Sequence, residues 1–158
     1  MDVTEALKRR RTTRGFIGQT VPRETILEIV ELASLAPSNS NTQPWHVAIA
    51  SGDTLNWKFF GAPHAAFISM PAYMQRAHAC DLGIFLQTLM LLMTERGIAS
   101  CPQGALAAFP DVVKRYLNIP EENAILVGLS FGYADDNAQI NSAKMPRESL
   151  ETIASFHW

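Results

Sequence analysis

Two guanidiniums and a hydroxyl lie close together near the start of the chain, in "RRRTTRGF" at residues 9–16. Arg10 and Arg14 are four residues apart, a spacing that places them on one face whether the segment is helical or extended. Thr12 joins that face only in an extended segment or a turn. Such a convergence suits a phosphate dianion, which arginine grips in bidentate fashion. The same cations also suit a solvated helix end, where they favour the C-terminal dipole. Lys144 and Arg147, in "NSAKMPRESL", are further cations in a segment with little core. They can stay in water or return to the same anion.

A second cluster of polar groups sits in "APSNSNTQPW", residues 36–45. Ser, Asn and Thr after a helix end commonly satisfy turn backbone and nothing more. Six in succession, from Ser38 to Gln43, at a junction expected to be half buried, exceed what a turn needs. Amides and hydroxyls both donate and accept, as a heteroaromatic ring edge and a polyhydroxyl chain require. "CPQGA", residues 101–105, ends an expected strand with Pro102 and Gly104. Backbone amides there could face a flat ligand, and an ordinary turn satisfies the same pattern. Cys101 has no paired histidine in view and fits a small buried residue. His46, His64, His78 and His157 have no ligand-like spacing, so no metal site is expected. The chain contains no GxGxxG, Walker A or GxSxG motif.

The elements that must position these groups follow from apolar periodicity. Asp2 or Thr4 caps a first helix with the stripe Val3, Ala6 and Leu7. Pro22 opens a second, in which Ile26, Ile29, Val30 and Ala33 share a face, and Pro37 lies just past its end. Trp45, Val47 and Ile49 alternate as a strand with one better-buried side. Ser51-Gly52-Asp53 signals a turn, and a second strand is expected at 66–70. Asp81 is expected to cap a third helix over 82–96, ended by Gly97. That helix is apolar nearly all round, which implies burial on several sides. A short strand at 98–101, a short helix closed by Pro120 and a central strand at 124–132 complete the pattern. Helices and strands alternate only loosely, so the fold class is α+β. The third helix calls for more partner surface than one small domain offers, hence a homodimer.

Composition narrows the classes further. The chain has 158 residues, 47% hydrophobic and 18% charged, with a net charge of -2, which fits a single soluble domain over residues 1–158. That balance argues against nucleic-acid and membrane partners. Two cysteines without CxxC spacing, and no apolar leader, fit a cytoplasmic setting. The apolar stretch at 82–93 is too short to span a bilayer.

In combination these motifs resemble the nitroreductase family of FMN-dependent oxidoreductases. The likeness runs through "RRTTRGF", "VPRETILEIVELASLAPSNSNTQPW", "GIFLQTLMLLMTERGIASCPQGALAAFPDVVKRYLNIP" and "LVGLSFGYADDNAQINSAKMPRESL", most of the chain in the family's order. It implies an α+β sandwich with a mostly antiparallel central sheet, and an intimate homodimer with FMN at each of two subunit interfaces. Arg10, Arg11, Thr12 and Arg14 stand at the family's phosphate and ribityl positions. Pro37, Ser38, Asn39 and Asn41 stand where the neighbouring subunit contacts the flavin. Pro102, Gln103 and Gly104 match the loop over the isoalloxazine near N5, and Lys144 and Arg147 match tail cations returning to the phosphate. The implied activity passes hydride from NAD(P)H through FMN to a small-molecule electron acceptor, a nitroaromatic or quinone, with no side chain nominated as an essential acid or base. One departure is large. The family usually carries a long helical insertion where "SGDTLNWKFFGAPH" joins two strands almost directly. That shortening motivates the alternative of a flavin-binding carrier or regulator with little turnover. A basic-arm nucleic-acid module built on "KRRRTTR" is a third reading.

Overall fold

The computed structural model describes residues 1–52, 59–74 and 76–157. Five helices are described: α1 (Val3–Arg9), α2 (Arg23–Ala33), α3 (Arg76–Glu95), α4 (Pro110–Leu117) and α5 (Leu150–Ile153). Four strands, β1 (His46–Ser51), β2 (His64–Pro71), β3 (Ala99–Gln103) and β4 (Asn123–Gly132), form one sheet in the order β1-β2-β4-β3. Every adjacent pair is antiparallel. The continuous apolar run of β4 is explained by its inner place in a sheet covered on both faces.

Alternation along β2 shows how the layers form. Ala66, Ile68 and Met70 face a core built from Ile26, Ile29 and Ala33 of α2 and Leu82, Phe85 and Leu89 of α3. Ala65 and Phe67 point the other way, onto Ile119 and Ile125 and the half-buried Val113 and Leu117 of α4. Each large side chain so buried contributes about 1.5–3 kcal/mol of hydrophobic stabilisation. Strand β4 breaks simple alternation. Ile68 pairs with Val127 but Ser69 pairs with Ile125, so Leu126 is an extra residue in a β-bulge. The bulge reverses which face odd positions take. Ile125 joins the α4 side, while Leu129 and Phe131 join the α2–α3 side. The architecture is the α+β sandwich expected.

Local departures from the expected elements have physical causes. Helix α3 begins at Arg76, so Asp81 is not its cap but lies inside it, 5% exposed. By length and composition its 20 residues could cross a membrane, yet Phe85 and Leu89 sit at the centre of the core. Strand β2 extends two residues earlier than expected, and β3 runs on through Pro102 and Gln103. Proline is tolerated there because β3 is an edge strand, where one ladder donor can be missing. In α1 Asp2 is the cap, accepting from the Glu5 N–H at 2.7 Å, but of the expected stripe only Ala6 is buried. Val3 and Leu7 remain exposed. Asp53, part of the expected turn, lies outside the described residues.

His64 is a buried hinge between strands and the chain leading into α2. Its Nε2 accepts from the Val21 N–H at 2.8 Å, so the proton sits on Nδ1, 2.7 Å from Ser51 Oγ. The ring stacks on Phe131 with centroids 5.0 Å apart. Burial lowers its pKa, because the charged ring loses solvent. The unfolded chain therefore binds the proton more readily than the folded one. The stability His64 contributes is full above the free imidazole value of about 6.5 and is lost as pH falls through the depressed folded value. Denaturant midpoints measured from pH 8 to pH 5 are expected to fall below pH 6.5. In His64→Gln that part of the slope is expected to flatten.

Candidate functional site

The basic segment is held by the edge of the sheet. Helix α1 ends at Arg10, whose N–H donates to the Ala6 carbonyl. The chain then runs extended: Thr12 forms a parallel bridge with Ser100, and the buried Thr13 donates its N–H to the Ser100 carbonyl at 2.9 Å. Of the two geometries open to this segment, the extended one is realised past Arg10, which brings Thr12 in with the arginines.

The C-terminal segment folds back onto the same strip. Ile17 N–H donates to the Tyr133 carbonyl at 3.0 Å, Phe16 bridges Ala134, and Asp135 N–H donates to the Gly15 carbonyl at 3.0 Å. Beyond a short 3-10 turn at Gln139–Ser142, Lys144 and Arg147 come to face the arginines. The result is a cleft of about 670 Å³ lined by Lys8, Arg9, Arg10, Arg11, Thr12, Arg14, Lys144 and Arg147, with Ile140, Ala143 and Met145. Arg9 is paired with Glu5 at 2.7 Å, an exposed contact of small value. Among the described residues the other cations of the cleft form no ion pair. Unpaired like charges gathered in one concavity repel each other, and an anion bound there removes that cost.

The polar run at 37–41 lies elsewhere, and the lining of the basic cleft includes none of Pro37, Ser38, Asn39 or Asn41. Nor is it half buried, as the sequence predicts: Ser38 is partly covered, while Pro37 and residues 39–43 are exposed on this chain. The physical reason is that Pro44 and Trp45, not the polar side chains, carry the junction into the core, Trp45 stacking on Phe85 at 4.9 Å. Its backbone is costly. Ser40, Asn41 and Gln43 all have left-handed φ, at 51°, 55° and 46°. For residues other than glycine that geometry costs roughly 1–2 kcal/mol each, and asparagine tolerates it best. Two contacts impose it. Asp81 accepts the Asn39 N–H at 3.1 Å on both carboxylate oxygens, and Ser38 Oγ accepts the Gln43 N–H at 3.0 Å. Strain held this way is a mark of functional loops.

Gln103 and Gly104 are fixed from below. The Gln103 amide donates to Ser130 Oγ on β4. Gly104 opens a 3-10 turn to Ala108, and Leu106 of that turn packs onto Gly128, where a Cβ would collide with the Leu106 side chain. At Gly104 itself a Cβ would meet nothing within 4 Å, and φ is not left-handed. The chain's own packing does not require glycine there. Cys101, 1% exposed, is beside Arg14, and burial pushes its thiol up more than that charge pulls it down. It stays a protonated core residue.

Three contributors escape a reading by residue type: Asp81, Gly128 and Asn141. Asp81 had a signal, being the one charged residue between Arg76 and Glu95. Gly128 and Asn141 had none, since one lies in an apolar run and the other in a polar one. Asn141 is the sole buried residue from 139 to 150.

The sequence model of the nitroreductase family matches residues 7–58 and 50–133, two pieces that meet where the chain is short. Nitroreductase NfnB of Mycolicibacterium smegmatis is 34% identical, covering 95% of this chain and 90% of its own length. That alignment spans 212 positions against 158 residues here, so the relative carries additional residues. A 4-nitrobenzoate reductase of Pseudomonas putida is 29% identical over 98% of this chain and 95% of its own. The crystal structure of the FMN-dependent nitroreductase NfnB from Mycobacterium smegmatis in complex with NADPH superposes with a TM-score of 0.91 at 33% identity, covering 99% of this chain and 100% of that one. The family model, the sequence identity and the superposition agree over most of its length, and the chain belongs to the nitroreductase family.

Proposed function

We propose that this protein is an FMN-dependent oxidoreductase that takes hydride from NAD(P)H and delivers it to nitroaromatic, quinone or similar acceptors. The observation that carries the reading is the cleft in which cations from both ends of the chain meet, Arg10, Arg11 and Arg14 from one and Lys144 and Arg147 from the other. Their number and, among the described residues, their lack of carboxylate partners fit a doubly charged phosphate, and the Thr12 hydroxyl fits a ribityl oxygen beside it. When bound, FMN supplies the two-electron chemistry, and the protein binds, orients and tunes it.

The remaining assignments follow the same logic. Pro102, Gln103 and Gly104 offer backbone to a flat ring, with no side chain at Gly104 to hold it away. Backbone N–H groups so presented stabilise negative charge developing on the ring. Arg14, placed near Cys101, links this strand to the phosphate cleft. Pro37, Ser38, Asn39 and Asn41 are assigned to the flavin held by a second copy, since their loop is strained and not part of their own chain's cleft. The assembly is accordingly a homodimer, each chain one FMN-binding domain over residues 1–158. We place it in the cytoplasm, where reduced nicotinamide is available and Cys80 and Cys101 stay as the free thiols found here.

Anaerobic mixing of the yellow holoprotein with NADPH tests the reading. Rapid loss of the visible flavin band, restored by a nitroaromatic acid such as 4-nitrobenzoate, is the expected result. A holoprotein whose band persists is instead a flavin carrier. Colourless protein that takes up no added FMN excludes both.

A further inference from the structure

Asn141 is the residue on which the two cationic segments close. Its Oδ1 accepts the Arg14 backbone N–H at 2.8 Å, and its Nδ2 donates to the carbonyls of Gly15 and Asp135, both at 2.9 Å. An acceptor facing an N–H and a donor group facing two carbonyls leave only one amide orientation consistent with the partners. The side chain is 5% exposed, whereas residues 142–150 beyond it are all exposed. Its chain neighbours Ile140, Ala143 and Lys144 line the basic cleft, as does Arg14. Gly15 makes the approach possible. A Cβ on it would lie 2.6 Å from Ala138 Cβ and 3.2 Å from Asn141 Nδ2. One buried amide therefore joins residues about 127 positions apart and sets the distance between Arg14 on one wall and Lys144 and Arg147 on the other.

We propose that Asn141 is a positioning residue for anion binding: it clasps the C-terminal tail to the Arg14–Gly15 backbone, so that cations from both ends reach one phosphate. The inference rests on the flavin-phosphate reading of the cleft. Its consequence is specific to the phosphate end of the ligand. Without the clasp the tail cations are free to leave, and the ring contacts of residues 102–104 are untouched. FMN and riboflavin, which differ only in the phosphate, separate this role from a general part in folding.

The experiment measures Kd for FMN and for riboflavin by flavin fluorescence with wild type, Asn141→Ala and Gly15→Ala, and with Arg14→Ala/Arg147→Ala as reference. Loss of buried hydrogen bonds to the clasp is expected to raise the Kd for FMN about ten- to a hundredfold in Asn141→Ala, with riboflavin changed less than about twofold. Gly15→Ala, which pushes the same contact apart from the other side, is expected to act alike and stands in should Asn141→Ala not fold. In the reference background Asn141→Ala is expected to add little, because the cations it positions are gone. A folded Asn141→Ala or Gly15→Ala protein that keeps the wild-type preference for FMN over riboflavin overturns the clasp while leaving the cleft reading intact. Parallel weakening of both ligands overturns it as well. If the reference variant keeps the preference, the phosphate reading itself is wrong and the clasp falls with it.

Discussion

Arg10→Ala/Arg14→Ala is expected to purify colourless and to bind added FMN at least about a hundredfold more weakly than wild type. A hydrogen bond to a charged group is worth about 1.5–3 kcal/mol, so two guanidiniums supply about 3–6 kcal/mol before solvent is considered. Arg14 is exposed and Arg10 half-buried in the isolated chain, so water and salt screen part of that. The lower end of the range, about 3 kcal/mol, is a factor of about a hundred. Fold stability is expected to hold, because among the described residues neither guanidinium has a carboxylate partner and the backbone bonds at Arg10 and Arg14 do not depend on the side chain. Equilibrium titration with FMN at two ionic strengths is the check. Weaker binding at higher salt in wild type, with a shallower slope in the variant, is the signature of lost phosphate contacts. A double variant that remains fully yellow removes the assignment.

The arginine cluster was legible because phosphate chemistry needs particular residue types at short spacing, and those sit within residues 10–14. The partnership with Lys144 and Arg147 was legible only as one possibility, and it took the zip of backbone bonds between residues 15–17 and 133–135 to realise it. What local pattern could not supply were long-range dependencies. Asp81 looked like a cap because a polar residue ahead of an apolar run usually is one. Its actual role, holding the Asn39 amide, depends on a loop 42 residues away. The polar run was expected half buried from its apolar surroundings, and its exposure reflects that Pro44 and Trp45 alone satisfy the core. The bulge at Leu126 was illegible for a different reason. A run of apolar residues carries no period to reveal which face each takes, and the register with β2 decides it. The exposed stripe of α1 reflects the opposite failure, since Val3 and Leu7 have the right period but no surface of their own chain to meet.

That last point generalises to α3, whose outward face gives the second large prediction. Cys80, Gly83, Ile84, Gln87, Thr88 and Leu91 recur at helical spacing on the side away from Phe85 and Leu89. None is charged, and the single acid between Arg76 and Glu95, Asp81, is turned inward. Cys80, Gly83 and Ile84 are exposed on the isolated chain. A solvated face running from Cys80 to Leu91 would ordinarily carry charges. In the homodimer proposed above, a second copy of the chain packing about a two-fold axis would cover it and would bring its own 37–41 loop to the neighbouring cleft. Ile84→Glu separates the two cases. On a monomer, glutamate at a position 38% exposed is well tolerated, because it is a good helix former with water beside it. At a two-fold interface the substitution appears twice, and each buried unpaired carboxylate costs several kcal/mol. Sedimentation at micromolar concentration is therefore expected to show a dimer for wild type and a folded monomer for Ile84→Glu. The monomer is expected to lose its colour although Arg10, Arg14, Lys144 and Arg147 are untouched, because half of each site leaves with the partner. A variant that stays dimeric would remove this face of α3 from the interface, and a monomer that stays yellow, variant or wild type, would place the flavin within one chain and return the 37–41 loop to a local role.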